Sequence, residues 1–325
     1  MSRVLVTGAT GFVGRHVVER LVADGHEVHC AVRSIERARS VLPPRADLVA
    51  VVAIDRNTNW DAALAGMDSV VHLAARAHIL EERSDDPLAA FLEVNTQGTL
   101  HLARRAAVHG VRRFVFVSSI KVNGDSSGAG AIRAADTPAP VDDYGVSKLR
   151  AEIGLADISA ATHMRTVIVR PPLVYGPGVG ANFRRLLRIV DRELPLPLGA
   201  VNNARSLVSV WNLGDLLVRC LEHPNAANRT FMVSDGQDLS TADLARHLAT
   251  ALGRRSRVFA FPRALLRFGA TITGQMAEYT RLCSSLRVDM TETMAALEWR
   301  PPFELEESLA RTARWYRDLC GTPSA

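Results

Sequence analysis

The chain has 325 residues, 47% hydrophobic and 22% charged, with 22 glycines and 15 prolines, a composition that excludes disorder, collagen and coiled coil and leaves room for one large domain or two closely joined ones. A formal net charge of +5 favours anionic partners, yet no basic run, zinc-finger spacing or aromatic stacking motif points to nucleic acid. The scattered cysteines Cys30, Cys220, Cys283 and Cys320 speak against a disulfide framework or a zinc site and fit a reducing cytoplasm, and no apolar run approaches the roughly 18–20 residues of a membrane span.

Arg3 to Gly8 reads as a strand that leaves no room ahead of it for a signal peptide, so a cytoplasmic location is expected. Strand-like, valine-rich runs follow at Glu27–Val32, Leu48–Ala53, Ser69–Ala74, Phe114–Ser118 and Thr166–Val169. They are apolar almost throughout, as strands buried on both faces are. Helical spacing falls between them at Val13–Ala23, Pro87–Val108 and Asp142–Ser159. The alternation predicts an α/β fold with a doubly wound parallel sheet. After Pro171-Pro172 the rhythm breaks. Helices at Asn182–Val190, Asn212–Leu221, Thr241–Leu252 and Glu304–Leu319 mix with short strands at Thr230–Val233 and Val258–Phe261. We expect a dinucleotide-binding domain over 1–172 and a smaller mixed α/β lobe over 173–325, with segments such as 205–235 returning to the first.

Between the first strand and helix lies Thr7-Gly8-Ala9-Thr10-Gly11-Phe12-Val13-Gly14. Gly8 suits a tight turn, Gly11 lets backbone approach a pyrophosphate, and Gly14 lets helix pack on strand. The helix N-terminus offers N–H groups to the anion, with Thr10, Phe12 and Val13 beside it. Glycines also make plain turns; the strand–turn–helix context makes this one a dinucleotide site. An acid at the end of the second strand would hold the ribose hydroxyl of NAD, whereas Arg33 and Ser34 stand there instead. NADP(H) is therefore the favoured cofactor and NAD(H) the alternative. Asp55, past the third strand, is placed to meet the adenine amino group or to serve as a turn aspartate.

Of 39 basic side chains only Lys121 and Lys148 are lysine. Tyr144 and Lys148 sit at i and i+4, one helix face. An ammonium beside a phenol lowers its pKa and suits it to proton transfer. Ser119, at the end of the fifth strand, is placed to hold a substrate oxygen beside the tyrosine.

With these residues in view, the chain resembles the extended short-chain dehydrogenase/reductases, a Rossmann-type family of nucleotide-sugar epimerases, dehydratases and reductases. The resemblance rests on TGATGFVG at 7–14, HLAARAH at 72–78, Asn95-Thr96-Gln97-Gly98-Thr99, VSSIKVNG at 117–124, YGVSK at 144–148 and RPPLVYGPG at 170–178, and it covers nearly the whole chain. It implies Ser119, Tyr144 and Lys148 as a catalytic triad. Leu73, Ala74 and Ala75 would run along the cofactor with Asn95, and Pro171 to Val174 would lie near the nicotinamide. Two departures stand out: Asn123 replaces an expected tyrosine, and Leu173 an expected asparagine.

For a UDP-sugar substrate the resemblance assigns Asn182 and Arg205 to the diphosphate, with Arg281 a third cation. Lys121 is placed to touch the sugar or to be a solvated loop lysine, and His78 to face the sugar or to be a structural histidine. The helices at Pro87–Val108 and Asp142–Ser159 would build a homodimer's four-helix interface. The implied chemistry is hydride transfer at sugar C4. Arg33 favours NADPH-dependent reduction of a UDP-4-keto-6-deoxyhexosamine in surface-polysaccharide synthesis. UDP-glucose or UDP-N-acetylglucosamine 4-epimerisation with bound NAD is the alternative. Dehydration would need an acid beside the serine, where Ile120 and Lys121 stand. A non-catalytic NADP-binding module would have no need of both Tyr144 and Lys148.

Overall fold

A computed structural model describes residues 1–77 and 85–321 of the chain. Its strands are β1 (Arg3–Thr7), β2 (Glu27–Val32), β3 (Asp47–Ala50), β4 (Ser69–His72), β5 (Arg113–Val117), β6 (Arg165–Arg170), β7 (Leu173–Tyr175), β8 (Arg205–Ser209), β9 (Arg229–Met232) and β10 (Asp238–Leu239). Seven of them form one parallel sheet in the order β3-β2-β1-β4-β5-β6-β9. The order reverses between β1 and β4, and the carboxyl ends flanking that point open the crevice where α/β sheets bind ligands.

The valine-rich strands are buried on both faces. In β1, Val4 and Val6 pack with Val17, Leu21 and Leu216 from helices Phe12–Ala23 and Val210–Glu222. Leu5 packs the other way, with Phe114, Leu102 and Leu155, against helices Thr99–Val108 and Asp143–Ala161. β9, from beyond the double proline, completes the main sheet beside β6. The smaller sheet has β7 parallel to β8 and β10 antiparallel to it. Helices Ala181–Asp191, Thr241–Leu252 and Leu305–Cys320 close its core around Tyr175, Phe183, Leu248 and Leu309.

Several boundaries differ from the sequence pattern. The strand read at Leu48–Ala53 is shorter, Asp47–Ala50. The strand read at Val258–Phe261 reduces to a single bridge between Val258 and Leu196, because Pro195 and Pro197 deprive the facing segment of the amides a ladder needs. The helical run from Pro87 to Val108 contains a π stretch, Leu92–Gly98. Three residues between Pro172 and Gly176 suffice for β7. Helix Arg263–Ile272 buries none of its residues and leaves Leu265, Phe268 and Ile272 exposed. No helix among the described residues is long and apolar enough to cross a membrane.

Candidate active site

The crevice begins at the glycine turn. Gly8 has φ +71°, and a Cβ there would stand 2.7 Å from the Ala74 nitrogen; at Gly14 a Cβ would lie 2.1 Å from the Gly8 oxygen. Only glycine lets this turn sit against the end of β4. Gly11 caps helix Phe12–Ala23 without a side-chain hydrogen bond, so first-turn N–H groups are free for an anion. Thr10 is exposed beside them, and Phe12 and Val13 are half-buried. Leu73, Ala74 and Ala75 line the opposite wall, with Leu73 N donating to the Thr7 carbonyl at 3.2 Å. This cradle fits a dinucleotide.

At the far end of the crevice, Arg33 and Ser34 are exposed past β2. Ser34 Oγ accepts from Arg37 N at 3.3 Å, capping the short helix Ile35–Arg39. Asp55 Oδ1 accepts from Asn57 N at 2.8 Å and Thr58 Oγ1 at 3.1 Å, which is turn chemistry. Asn95 braces the scaffold: its amide bonds both backbone atoms of Arg76, at 2.7 and 3.0 Å, and Ser147 Oγ at 3.0 Å. Pro171 accepts from Ile120 N at 3.0 Å, and Val174 is half-buried in β7.

Ser119 follows β5 in extended backbone and accepts from Lys121 N at 3.2 Å, opening a turn over Ile120–Val122. Asp142 caps helix Asp143–Ala161 by accepting from Gly145 N at 2.7 Å. That helix carries Tyr144, Lys148 and Glu152 at successive i, i+4 positions. Lys148 is 1% exposed, its Nζ 4.0 Å from the Phe116 ring centre. Beneath it Glu152 meets Arg170, with Arg170 Nε at 3.0 and 3.2 Å and Nη2 at 2.5 Å. The Ser118 hydroxyl donates to the same carboxylate, and Arg170 Nη1 donates to Asn123 Oδ1 at 3.0 Å.

Burial pushes the Tyr144 phenol up to about 12, the Asp142 charge adding to the rise and a Ser119 hydrogen bond opposing it. Burial also drives the Lys148 ammonium down to about 7, against the pull of Glu152. The expectation of a phenol made acidic by its lysine is therefore reversed in the ligand-free chain: desolvation outweighs the neighbouring charge.

Behind the crevice, His72 joins β1 to the helix at Thr99. It is buried, 2.6 Å from Thr7 Oγ1 and 2.8 Å from Thr99 Oγ1. Burial, with Lys148 nearby, takes its pKa down to about 3. A depressed histidine stabilises the fold fully above its unfolded value near 6.5 and progressively less as pH falls towards the folded value. Between pH 7 and pH 5 the unfolding free energy of the wild type should therefore drop by about 2 kcal/mol more than that of His72→Asn. Denaturant melts at the two pH values measure this, and equal drops would remove His72 as the cause.

On the substrate side, Lys121 Nζ pairs with Asp125 and lies 3.1 Å from Asp142. Arg205 Nη1 donates to the carbonyls of Arg281, at 2.8 Å, and Ser284, at 3.2 Å. Burial lowers the Arg205 pKa, and the charge of Asp125 counters this. Arg281 and Asn182, the latter in the first turn of helix Ala181–Asp191, are exposed. His78 lies outside the described residues. The structure thus gathers Ser119, Lys121, Tyr144 and Lys148, reaching Arg205 through Asp125, and leaves Arg33 and Ser34 beyond β2. Glu152, Arg170, Ser118 and Asp142 escaped the sequence reading. Glu152 had a signal, the third place on the Tyr144–Lys148 stripe; the other three depend on tertiary contact.

A protein-family model described as the NAD dependent epimerase/dehydratase family matches residues 4–234. UDP-glucose 4-epimerase of Vibrio cholerae is 42% identical over 314 residues, 96% of this chain and 94% of that protein. Among solved structures, a UDP-glucuronic acid 4-epimerase from Bacillus cereus in complex with NAD has a TM-score of 0.79 over 99% of each chain, at 22% identity. A UDP-N-acetylglucosamine 4-epimerase from Bacillus cereus reaches 0.78 over 98% of this chain and 100% of that one, at 20% identity. At those identities the structural likeness is one of fold.

Proposed function

The chain belongs to the NAD dependent epimerase/dehydratase family, and from that premise we propose that it is a UDP-hexose 4-epimerase working with NAD. The observation that carries the choice is the 42% identity to a UDP-glucose 4-epimerase over 314 residues. The reductase reading rested on Arg33, which is exposed past β2. An exposed arginine among so many is weak support for a 2′-phosphate. NAD is favoured by the family's description and by the dinucleotide held in the Bacillus cereus relative in fold.

The Gly8–Gly14 turn and Leu73–Ala75 would hold the dinucleotide, with Lys148 at its nicotinamide ribose. When bound, NAD takes a hydride from sugar C4 and returns it, and in its oxidised form adds a positive charge to the site. Tyr144 Oη accepts the C4 hydroxyl proton as the carbonyl forms and gives it back when the other face is reduced. Ser119 Oγ hydrogen-bonds the same oxygen. Lys148, kept charged by Glu152, favours the phenolate that this step needs. Arg205 faces the substrate diphosphate, with Arg281 and Asn182 at the rim. A homodimer belongs to the same reading: Ile153 and Val108, on the two helices that would form it, are 56% and 72% exposed.

Epimerisation consumes no reductant. Purified protein should convert UDP-glucose to UDP-galactose with no net change in NADH absorbance, and acid-released dinucleotide should be NAD. Stoichiometric NADPH oxidation by a UDP-4-keto sugar without interconversion would replace this reading by the reductase.

A further inference from the structure

Lys121 departs from the arginine used nearly everywhere else, and it stands between the turn that carries Ser119 and the helix that carries Tyr144. Its Nζ lies 3.1 Å from Asp142 Oδ2. Asp142 Oδ1 meanwhile accepts from Gly145 N at 2.7 Å, fixing the first turn of the catalytic helix. The two segments touch without slack, since a Cβ on Gly145 would lie 2.6 Å from the Lys121 carbonyl oxygen. We infer that Lys121 is a positioning residue for Tyr144: by pairing with Asp142 it fixes the start of the catalytic helix and cancels the carboxylate charge beside the phenol. The inference rests on the assignment of Tyr144 as proton carrier.

Stability is not the purpose of the pair. The two side chains are 34% and 41% exposed, and such ion pairs contribute little to folding. The field at the phenol is a different matter, because Tyr144 is held up by burial and then by Asp142, so each unneutralised part of the Asp142 charge disfavours the phenolate further. The other groups facing the phenol are identifiable. Its own helix contributes Asp143 and Lys148. The turn after β5 contributes Ser119 and Lys121, the latter also paired with Asp125. Helix Pro87–Phe91 contributes the Phe91 ring, 6.2 Å from Tyr144 between centroids, with the Arg76 guanidinium 5.6 Å from that ring's centre. Among these, Lys121 alone sits on Asp142. A compact ammonium serves two carboxylates of different direction, which a planar guanidinium does less well.

The test is the pH profile of kcat/KM for the NAD-loaded enzyme. Lys121→Met should move the limb that rises with Tyr144 ionisation to higher pH by about half a unit or more. Asp142→Asn, which keeps a capping side chain, should move it lower, and Lys121→Met/Asp142→Asn should return it close to the wild type. Lys121→Arg should lie between wild type and Lys121→Met. An unmoved limb in Lys121→Met, or a double variant no nearer the wild type, overturns the inference. A several-fold rise in KM for the UDP-sugar with the limb unmoved would make Lys121 a sugar contact instead. If no UDP-sugar is turned over, the tyrosinate absorbance titration of the NAD-loaded protein, referenced to Tyr144→Phe, still decides. The Lys121→Met titration should then lie above the wild type, and coincidence of the two ends the proposal whatever the substrate is.

Discussion

Tyr144→Phe should lower epimerase turnover about 10³-fold while leaving dinucleotide affinity within about twofold. The substitution removes one oxygen and keeps the ring that packs edge-on against Phe91. The fold has no reason to change, so thermal unfolding should be that of the wild type. What disappears is the atom that trades a proton with the C4 oxygen. Ser119 remains, yet a serine hydroxyl has no charged partner here to make it a base, and it is already engaged with Lys121 N. The cofactor cradle is built from the glycine turn and the end of β4, which the mutation does not touch. Turnover within tenfold of the wild type would remove Tyr144 from the chemistry; loss of dinucleotide binding would make it a structural residue.

The second large effect lies one layer down. Glu152→Gln should destabilise the protein by about 3–5 kcal/mol, read from the denaturant midpoint. Both members of the Glu152–Arg170 pair are 5% exposed. Glutamine keeps the size and removes the charge, leaving the Arg170 guanidinium buried with only Asn123 and the Ala134 carbonyl as partners. The signature of this cause is non-additivity: Glu152→Met/Arg170→Leu should be less destabilised than Glu152→Gln, because removing both charges leaves none uncompensated. A loss below about 1 kcal/mol, or a double variant worse than the single, would show that the pair is not what holds this layer. Catalysis should suffer as well, since Glu152 is the group that opposes the burial-driven fall of the Lys148 pKa.

Much of this was legible in the residues. Continuous valine-rich runs separated by helical spacing specified a parallel sheet covered on both faces, because nothing else buries such strands. The glycine turn was readable, since only a close backbone approach needs three glycines at that spacing. Tyr144 and Lys148 were readable because an i, i+4 pair is local. Asn95 was not: its amide is spent on Arg76 and Ser147, partners brought together only by folding. The direction of the Tyr144 shift was missed for the same reason, since burial is a property of the whole crevice and the lysine is merely its nearest charge. β7, β8 and β10 are short segments stabilised by one another, and no periodicity announces strands of two or three residues.

The π stretch at Leu92–Gly98 has a consequence for how the sequence can vary. A π turn accommodates one residue more than the α-helix around it, and here that surplus lets Asn95 and Thr96 both reach Ser147, the latter through its carbonyl at 2.8 Å. Deleting a single residue would restore an unbroken α-helix and swing everything on one side by about 100°. Length in this segment is therefore as constrained as residue identity, and insertions or deletions between Pro87 and Val108 will be tolerated only in combinations that keep the phase of both halves.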